Sequence, residues 1–492
     1  MRPKPKAAGE FAIQRASTGN AELDSLLGGG FPRGSLILVS GNPGTGKTIF
    51  SAGVLYQGAR REKENGVYVS FSEDRKAFFE NMRTVGLDME ALEEEGRFKF
   101  LEMFATTREG MGKVAGELLE TIRATGARRL VVDSYSAMAQ AIGTDYEGRQ
   151  VLHTVLGKIV RNLGCTTLVI CEQPTGEDRI GDGSEEFVAD GVLNLKHTIP
   201  RELEIRKMRG TKLWTRAVTY TIDNGFRVLT TELRSPAQIK RWEPIPDTNG
   251  LVSTGSRDLD AVLGGGLPRG AYVVLESSSE VMIRELRLFT RSLCLNAVNQ
   301  MRGVLVLPTG GVSAKEIKAA WTPYTTAELF DNFVRIFEQE QPARTGSPSP
   351  PPYVVPMTEN QGVEDEAQLE ESSRRLHAAY RELKARSGNQ PVIRNIGYDS
   401  METMYARYPE KLLNEVGFAI ATTRAARDIT LGLAKPSLGI LDKIAGIVDW
   451  HLRLTKKNGL LMFQGVKPYT SLYAVDCDVS RGYPETKLSI LT

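Results

Sequence analysis

The sequence has few of the residues that build disulfide frameworks, metal sites or membrane spans. Its 492 residues include four cysteines and four histidines, and neither set forms a CxxC pair or a metal-ligand spacing. No apolar run approaches the roughly 20 residues that a bilayer requires, and the first residues lack the apolar core of a signal peptide. These absences argue against a disulfide scaffold and a transmembrane helix. They predict a soluble, cytoplasmic protein with buried, reduced cysteines and no membrane partner.

An excess of charge of one sign is also lacking. The 62 lysines and arginines nearly balance the 60 aspartates and glutamates, which leaves a formal net charge of +2. This balance gives no reason to expect nucleic acid or an anionic membrane as a partner. The 41% hydrophobic and 25% charged residues are typical of a globular protein and exclude wholesale disorder. At about 100–200 residues per domain, the length predicts several domains.

The chain contains an internal repeat. The Ser-Thr-Gly at residues 17–19 returns at 253–255, and the eight residues at 27–34 return at 263–270 with one substitution. Both matches have the same spacing, so they are in register. The sequence therefore predicts two tandem copies of one module.

Breaks in composition set the predicted domain boundaries. We predict a basic, flexible tail at 1–14, a first copy at 15–235, a linker at 236–249 and a second copy at 250–492. The linker prediction rests on Pro236, Pro244 and Pro246, and a proline-bearing surface loop is the alternative. The second copy carries a proline-rich, charged insertion at about 341–386. It starts as a loop of polyproline or disordered character, includes an amphipathic helix at 363–386, and suggests partner contact or regulation.

Short apolar runs alternate with longer mixed segments in the first copy. Predicted strands are 36–40, 67–71, 98–103, 130–133 and 167–171, and predicted helices are 48–62, 74–85, 110–125 and 148–162. Apolar strands that alternate with helices are typical of a mainly parallel sheet with helices on both faces. Strands at 192–197, 203–208 and 217–222 would extend the sheet antiparallel. The predicted fold class is α/β, with two tandem domains that each hold a mainly parallel sheet, flanking helices and an antiparallel C-terminal extension.

A phosphate-binding loop follows the first predicted strand. Gly41, Asn42, Pro43, Gly44, Thr45, Gly46, Lys47 and Thr48 match the pattern GxxxxGK[ST] between a strand and a helix. The glycines let backbone N–H groups turn toward phosphate oxygens, and the helix N-terminus adds partial positive charge. Lys47 can reach the β- and γ-phosphates, and the Thr48 hydroxyl can bind Mg²⁺. A flexible glycine turn would not explain these two side chains.

Two carboxylates complete the predicted site. Asp133 ends an apolar strand and is followed by Ser134, an arrangement that supplies a second magnesium ligand. Glu73 comes just past the strand at 67–71, so it would lie at the carboxyl edge of the sheet beside the nucleotide. There it could act as the base or position the attacking water. An exposed helix-capping acid is the alternative for Glu73.

These motifs together resemble the KaiC branch of the RecA-superfamily ATPases. Further matching segments are 18–19, 23–24, 28–30, 186–190 and 207–211, so the likeness covers roughly residues 15–230. The resemblance implies RecA-like P-loop domains, ATP and Mg²⁺ as ligands, and a homo-hexameric ring with ATP between subunits. It implies a catalytic role for Glu73, although Ser72 stands where the family usually has another acid. It also implies that Lys207 and Arg209 reach the γ-phosphate of the neighbouring subunit, an ordinary basic strand edge being the alternative.

The second copy has lost the phosphate loop. Residues 41–48 map to 277–284, where every glycine is gone and Ile283 replaces Lys47. Side chains would crowd the cradle, and Glu280 would repel phosphate. An Asp399-Ser400 pair survives, whereas the finger segment aligns with residues 462–466, which carry no positive charge. The second copy therefore resembles a degenerate RecA domain without ATP binding.

Three functions of different classes fit these features. The first is a KaiC-like ATPase that couples slow, Mg-dependent hydrolysis to conformation or partner binding, with an inactive second copy that contacts an unknown protein. The second is a DNA-dependent recombinase-type ATPase, with loop candidates at 143–149 and 174–187. It is disfavoured because five acids against one base at 174–187 would repel DNA. The third is a nucleotide-gated interaction protein that does not hydrolyse ATP. A clock role is not expected, because the second copy lacks the loop that autophosphorylation needs.

Overall fold

The structure is a computed structural model that describes residues 13–103, 108–137, 157, 162–173, 185–339, 350–357 and 366–491. The predicted tail at 1–14, the helix at 148–162 and the loops at 143–149 and 174–187 lie wholly or largely outside these residues. Within the described ranges, no helix is both long and apolar enough to cross a membrane. The chain divides into two compact units between Thr230 and Thr231.

The first unit is built on a mixed β-sheet. After the short pair β1 (Arg15–Ala16) and β2 (Phe31–Pro32), its strands are β3 (Leu36–Gly41), β4 (Gly66–Ser70), β5 (Phe98–Glu102), β6 (Arg129–Asp133), β7 (Thr166–Glu172), β8 (Gly191–Lys196), β9 (Glu202–Met208), β10 (Ala217–Thr221) and β11 (Arg227–Leu229). Among the described residues their spatial order is β11-β10-β9-β8-β3-β7-β6-β4-β5. The five strands predicted between residues 36 and 171 are confirmed.

Helices pack on both faces of this sheet. They are α1 (Ala21–Leu26), α2 (Lys47–Gln57) with a π-helical turn (Gly58–Glu62), α3 (Arg75–Thr84), α4 (Met89–Glu94), α5 (Arg108–Thr125) and α6 (Glu185–Val188). Along β3, Ile37 and Val39 join the apolar cluster that includes α2, whereas Leu36 and Leu38 join the cluster that includes α5. Alternate residues of one strand therefore serve two helical layers, as in a strand that is buried on both faces. The predicted helices at 48–62, 74–85 and 110–125 are confirmed.

The direction of β8 differs from the prediction. We predict an antiparallel strand at 192–197, but β8 runs parallel to β3, with Leu38 beside Val192. The connection from Glu172 to Gly191 is long enough for a crossover that returns the chain to the same end of the sheet. The antiparallel extension begins one strand later, where β9 pairs with β8.

The second unit repeats this plan with a larger sheet. Its strands are β12 (Leu251–Val252), β13 (Leu267–Pro268), β14 (Tyr272–Ser277), β15 (Val304–Leu307), β16 (Val334–Gln339), β17 (Val354–Met357), β18 (Ile393–Gly397), β19 (Ile429–Ala434), β20 (Trp450–Lys457), β21 (Leu460–Lys467), β22 (Tyr473–Asp478) and β23 (Glu485–Ile490). Its helices are α7 (Arg257–Val262), α8 (Ile283–Asn299), α9 (Ala314–Trp321) with a 3₁₀ turn (Thr322–Tyr324), α10 (Ala327–Phe333), α11 (Glu366–Arg386), α12 (Tyr398–Met404), α13 (Pro409–Ala426) and α14 (Leu441–Ile447).

The order of the sheet supports the internal repeat. In the described part of the second unit the order is β17-β16-β15-β18-β19-β14-β20-β21-β22-β23, so β15-β18-β19-β14-β20 repeats β4-β6-β7-β3-β8. The repeated Ser-Thr-Gly also makes the same contacts in both units. The Thr18 hydroxyl donates to Asp24 at 2.7 Å, and the Thr254 hydroxyl donates to Asp260 at 2.6 Å. This shared order defines which strand of the second unit corresponds to each strand of the first.

The segment predicted as a linker packs on the second unit. Trp242 is 2% exposed, and its ring lies 4.5 Å from that of Tyr483. The Trp242 backbone N–H donates to the carbonyl oxygen of Tyr324 at 2.9 Å. Residues 231–249 therefore belong to the second compact unit. The neighbouring prolines suggest an exposed linker, but burial of the large Trp242 ring holds this segment on the second unit.

The predicted insertion is partly a regular element of the fold. Helix α11, inside the charged stretch predicted at 363–386, stands between β17 and β18 as α5 stands between β5 and β6. It is therefore the counterpart of α5, and most of the extra residues lie between β16 and α11. We predict no regular structure at 341–356, but β17 adds an edge strand parallel to β16. Pro356 is tolerated there because an edge strand has one unpaired side.

Candidate functional site

The predicted phosphate-binding loop joins β3 to α2. β3 ends at Gly41 and α2 begins at Lys47, so the loop opens onto a helix N-terminus. Gly46 precedes the helix with a φ of 90°, in the left-handed region. A β-carbon at Gly41 would lie 2.3 Å from the carbonyl oxygen of Leu195, and one at Gly46 would lie 2.7 Å from Ile222. Both positions therefore require glycine, which keeps the backbone close to a ligand.

Two side chains from distant parts of the chain hold the loop in shape. The Tyr220 hydroxyl donates to the carbonyl oxygen of Thr45 at 2.6 Å, and Arg201 donates to that of Gly44 at 2.8 Å. Both side chains are buried. They fix two loop carbonyl groups before any ligand binds. Neither residue was predictable from the sequence, because both belong to no local motif.

Lys47 is half-buried within the loop. Its Nζ donates to the carbonyl oxygens of Gly41 at 2.8 Å and of Asn42 at 3.1 Å. Burial lowers the pKa of Lys47, while the negative charges of Glu172 and Asp133 act in the opposite direction. A phosphate oxygen is a stronger acceptor than a carbonyl oxygen. The ammonium group is thus placed where it can exchange these carbonyls for phosphate.

Thr48 and Asp133 form a pair of oxygen ligands beside the loop. The Thr48 hydroxyl donates to Oδ2 of Asp133 at 3.0 Å, and the buried Tyr68 hydroxyl donates to the same oxygen at 2.5 Å. Burial raises the pKa of Asp133, and these two hydrogen bonds oppose the shift. Carboxylate and hydroxyl oxygens suit Mg²⁺, which takes its other ligands from phosphate and water. No cluster of three His, Cys, Asp or Glu that could hold a metal occurs among the described residues.

Glu73 lies at the same edge of the sheet. Ser70 and Asp133 are neighbours in the pairing of β4 with β6, and Glu73 follows Ser70 in a short turn. The Glu73 backbone N–H donates to the Ser70 hydroxyl at 2.9 Å, and Asn81 donates to Oε1 of Glu73 at 2.7 Å. Burial raises the pKa of Glu73, the bond from Asn81 lowers it, and Asp133 and Asp74 raise it. A carboxylate with a raised pKa near a nucleotide is suited to accept a proton.

Helix capping does not account for Glu73. The N-cap of α3 is Asp74, whose carboxylate accepts a hydrogen bond from the Ala77 N–H at 2.9 Å. The capping alternative therefore belongs to the residue next to Glu73. Asn81, which orients Glu73 from α3, was missed because a helical asparagine eight residues away carries no motif.

Lys207 and Arg209 lie toward the other end of the sheet, away from the strand ends that carry the loop and Glu73. The loop follows Gly41, which pairs with Leu195 near the end of β8, whereas Lys207 pairs with Val192 near its start. Three residues of strand, about 10 Å, separate these positions, and Arg209 lies further still. Lys207 donates to the carbonyl oxygen of Glu186 at 2.8 Å. The Arg209 side chain is 54% exposed and pairs with Asp190 at 3.1 Å. Neither cation approaches the loop of its own subunit.

The comparisons with known proteins agree with this geometry. The family model described as "ATPase: KaiC" matches residues 16–232. A UPF0273 protein of Aeropyrum pernix is 34% identical over 223 residues, which are 41% of this chain and 87% of that protein. The chain belongs to the KaiC family of ATPases.

Other relatives carry the KaiC name. The circadian clock protein KaiC3 of Synechocystis is 29% identical over 283 residues, which are 54% of this chain and 54% of KaiC3. The chain thus matches about half the length of KaiC3. A solved KaiC-like protein of Pyrococcus horikoshii is 32% identical, with a TM-score of 0.40, and the match covers 44% of this chain and 100% of that one.

The second unit keeps the strand–loop–helix order of the first unit with different side chains. β14 ends at Ser277 and α8 begins at Ile283, which takes the place of Lys47 at the first helical residue. Lys435, at the end of β19, donates through Nζ to the carbonyl oxygens of Val281 at 3.2 Å and Ser278 at 3.4 Å. Two carbonyl groups of this loop are thus bonded to a lysine that directly follows β19.

Strand pairing corrects the match of Asp399 to Asp133. β6 and β18 occupy the same place in the two sheets, and their last residues are Asp133 and Gly397. Gly397 is therefore the counterpart of Asp133, and the prediction that this acid survives is wrong. Asp399 lies in α12, where its carboxylate accepts hydrogen bonds from the Thr309 hydroxyl at 2.7 Å and the Gly310 N–H at 2.6 Å.

The predicted match of the finger segment is also wrong. Lys207 pairs with Val192, and Lys467 pairs with His451, the counterpart of Val192. The segment 462–466 lies too early in β21, because the strands of the second unit differ in length. The second unit thus keeps a lysine at the position of Lys207, but it has no counterpart of either Lys47 or Asp133.

Proposed function

We propose that the first unit binds ATP with Mg²⁺ and hydrolyses it slowly, while the second unit is an inactive scaffold or regulatory part. The observation that carries this proposal is the 3.0 Å contact between Thr48 and Asp133 beside Lys47. These three side chains supply the cation and the oxygen ligands that a triphosphate and its metal need. The lack of counterparts for Lys47 and Asp133 supports an inactive second unit.

Each side chain has its own task in this proposal. Lys47 donates to the β- and γ-phosphate oxygens, and Thr48 and Asp133 hold Mg²⁺, which neutralises phosphate charge. Glu73 accepts a proton from water as the water oxygen bonds to the γ-phosphorus and the bond to the β–γ bridging oxygen breaks. Asn81 keeps the Glu73 carboxylate oriented. Turnover is slow in this proposal because Ser72, just before Glu73, stands where the family usually has another acid.

The nucleotide site is completed by a second copy of the chain. Lys207 and Arg209 lie toward the end of the sheet opposite their own loop, which supports a role at the site of another subunit. An interface that joins one end of the sheet to the other is heterologous, and such an interface forms a ring when the rotation between subunits closes. A homo-hexamer is the ring that the family resemblance implies. In this arrangement nucleotide state is coupled to the contact between subunits, and a protein partner of the second unit would sense it.

A mixing experiment tests the role of the second subunit. Glu73→Gln and Arg209→Ala should each hydrolyse ATP poorly as uniform assemblies. When the two variants are co-expressed, about a quarter of randomly formed interfaces join an intact Glu73 to an intact Arg209. We expect hydrolysis per chain to rise clearly above the mean of the two variants. The measurement is steady-state phosphate release at saturating ATP.

The control is a second mixture that cannot restore a site. Lys47 and Glu73 belong to the same subunit's site, so Lys47→Ala mixed with Glu73→Gln contains no interface that gains both groups. Hydrolysis per chain in that mixture should equal the mean of the two variants measured alone. If the mixture with Arg209→Ala also stays at its mean, the proposed role of Arg209 is wrong.

Ser72 favours one other candidate, a nucleotide-gated protein without turnover. With Ser72 in place of the acid that usually precedes Glu73, the site could bind ATP and change its subunit contacts without hydrolysis. This candidate predicts ATP binding at the first unit and no phosphate release above background, even in rings with every interface intact. Steady-state phosphate release by the unmodified protein separates it from the ATPase.

A further inference from the structure

The N-terminal segment of the first unit contacts the turn that carries Arg209. Arg15, in β1, donates from one terminal nitrogen to the Thr211 hydroxyl at 2.7 Å and from the other to the carbonyl oxygen of Gly210 at 2.8 Å. Ile13 packs on the same turn, since a β-carbon at Gly210 would lie 2.5 Å from Cδ1 of Ile13. Residues near the start of the described chain therefore hold a turn that is far away in sequence.

This turn sets where Arg209 lies. It runs from Met208 to Thr211, and the Thr211 N–H donates to the carbonyl oxygen of Met208 at 3.3 Å. Arg209 and Gly210 are its central residues, and Gly210 has a φ of 69°, in the left-handed region that favours glycine. The conformational freedom of glycine would allow such a turn to move. The two hydrogen bonds from Arg15 restrain the residues that directly follow Arg209.

The strand that carries Arg15 is itself anchored to the body of the unit. β1 pairs with β2, with Arg15 beside Pro32, and the next residue, Ala16, is buried. Arg15 also donates to the carbonyl oxygen of Gly30 at 3.2 Å. A planar guanidinium group presents several donors in a fixed arrangement, so one side chain can bridge two places. Arg15 thus connects the β1–β2 pair to the turn at Arg209.

The second unit has lost this contact together with the arginine that it holds. Leu251 is the counterpart of Arg15, because both stand at the same register of the first strand pair in their units. The residues at 468–472, which join β21 to β22 as the Arg209 turn joins β9 to β10, carry no positive charge. The first strand pair forms with leucine in this place, so folding alone does not require Arg15. Both arginines are present in the unit with the phosphate loop and absent from the other.

We propose that Arg15 is a positioning residue for the ATP site of the neighbouring subunit, and that it acts by holding the turn that carries Arg209. This inference rests on the proposed role of Arg209 at that site. A misplacement of about 1 Å in a group that stabilises a transition state can slow a reaction about 100-fold. Loss of Arg15 frees the turn but leaves Lys47 and Glu73 of the same subunit in place.

The Arg15→Leu variant, which carries the second unit's residue, tests this role. As a uniform assembly it should hydrolyse ATP about 10- to 100-fold more slowly than the unmodified protein and bind ATP with nearly unchanged affinity. Gln14→Ala is the matched control, because Gln14 is the exposed neighbour of Arg15. It should hydrolyse ATP at the unmodified rate. Equal steady-state phosphate release by the two variants would overturn the proposal.

Two mixtures show which subunit's site Arg15 serves. Co-expressed Arg15→Leu and Glu73→Gln should release more phosphate per chain than the mean of the two alone, because about a quarter of randomly formed interfaces join an intact Glu73 to an intact turn. Arg15→Leu with Arg209→Ala should equal the mean, because every subunit lacks one of the two arginines of the same turn. If Arg15 served its own subunit's site, these two results would be exchanged, and the proposal would be wrong.

The mixture of Glu73→Gln with Arg209→Ala separates this proposal from the proposed function. If that mixture exceeds its mean and Arg15→Leu with Glu73→Gln does not, Arg209 acts across the interface without Arg15, and only the role of Arg15 is wrong. Arg15→Lys keeps the charge and a donor, so it should lose less activity than Arg15→Leu. The same mixtures can be made with Arg15→Lys if Arg15→Leu does not fold.

Discussion

Replacement of Lys47 by alanine should abolish ATP binding to the whole chain. The ammonium group is held within the loop by the carbonyl oxygens of Gly41 and Asn42, whereas the Arg201 side chain donates to the loop carbonyl oxygen of Gly44. Its loss removes charge-assisted hydrogen bonds to the β- and γ-phosphates, so we expect affinity to fall by a factor of about 100 or more. Equilibrium binding of a fluorescent ATP analogue measures the effect.

Ile283→Ala is the matched control for this prediction. Ile283 takes the place of Lys47 at the first residue of the corresponding helix in the second unit. If only the first unit binds nucleotide, this variant should bind ATP as the unmodified protein does. Substantial ATP binding by Lys47→Ala would show that another part of the chain holds the triphosphate.

Replacement of Glu73 by glutamine should leave ATP binding nearly unchanged and slow hydrolysis by a factor of about 100 to 10,000. Glutamine keeps the shape of the side chain and can still bond to Asn81, but it cannot accept a proton. Glu80→Gln on α3 is the control, because Glu80 is an exposed acid whose ion pair is with Lys76 at 3.9 Å. Single-turnover phosphate release measures the chemical step. A Glu73→Gln rate equal to the Glu80→Gln rate would rule out Glu73 as the base.

The pH dependence of the unmodified enzyme gives a second readout for Glu73. Burial raises the pKa of this carboxyl group above its ordinary value of about 4.3. The base acts only when ionised, so kcat should fall as the pH drops through the raised pKa, at a higher pH than for an exposed glutamate. Asp133 also has a raised pKa, but its protonation weakens metal-dependent ATP binding and so appears in KM. If lowering the pH raised KM and left kcat unchanged, the group responsible would be Asp133 rather than Glu73.

The phosphate site could be predicted from local sequence motifs. The strand before Gly41, the glycines at 41, 44 and 46, and the Lys47-Thr48 pair are contiguous, so their geometry follows from a few backbone angles. Asp133 was also predictable, because it ends an apolar run and parallel strands bring their carboxyl ends to one edge. Glu73 could be placed at that edge on the same grounds. The structure assigns the capping of α3 to Asp74, and the catalytic role of Glu73 stays a prediction.

The residues that the sequence did not reveal act across long separations. Tyr220, on β10, and Arg201, just before β9, fix the loop from far away in the chain, and Tyr68 supports Asp133 from a neighbouring strand. Such contacts depend on which strands are neighbours, and β8 shows that even strand direction was misjudged. Composition alone could not separate a buried supporting tyrosine from an ordinary core residue.

Register errors explain the two wrong matches in the second unit. Asp399-Ser400 looks like Asp133-Ser134, yet hydrogen-bond pairing makes Gly397 the counterpart of Asp133. The finger segment was placed too early for the same reason, and Lys467 is the counterpart of Lys207. A shift of one or two residues along a strand changes which side chains are equivalent. Similar dipeptides are weak evidence where two repeats differ in loop length.

The number of nucleotides bound per chain tests the central claim most directly. The measurement is ATP content at saturation, made on Glu73→Gln protein of known oligomeric mass so that hydrolysis does not deplete the ligand. One working phosphate site and one degenerate loop predict one ATP per chain, with all of it lost in Lys47→Ala. Two ATP molecules per chain, or one that survives Lys47→Ala, would contradict the assignment of the second unit as inactive.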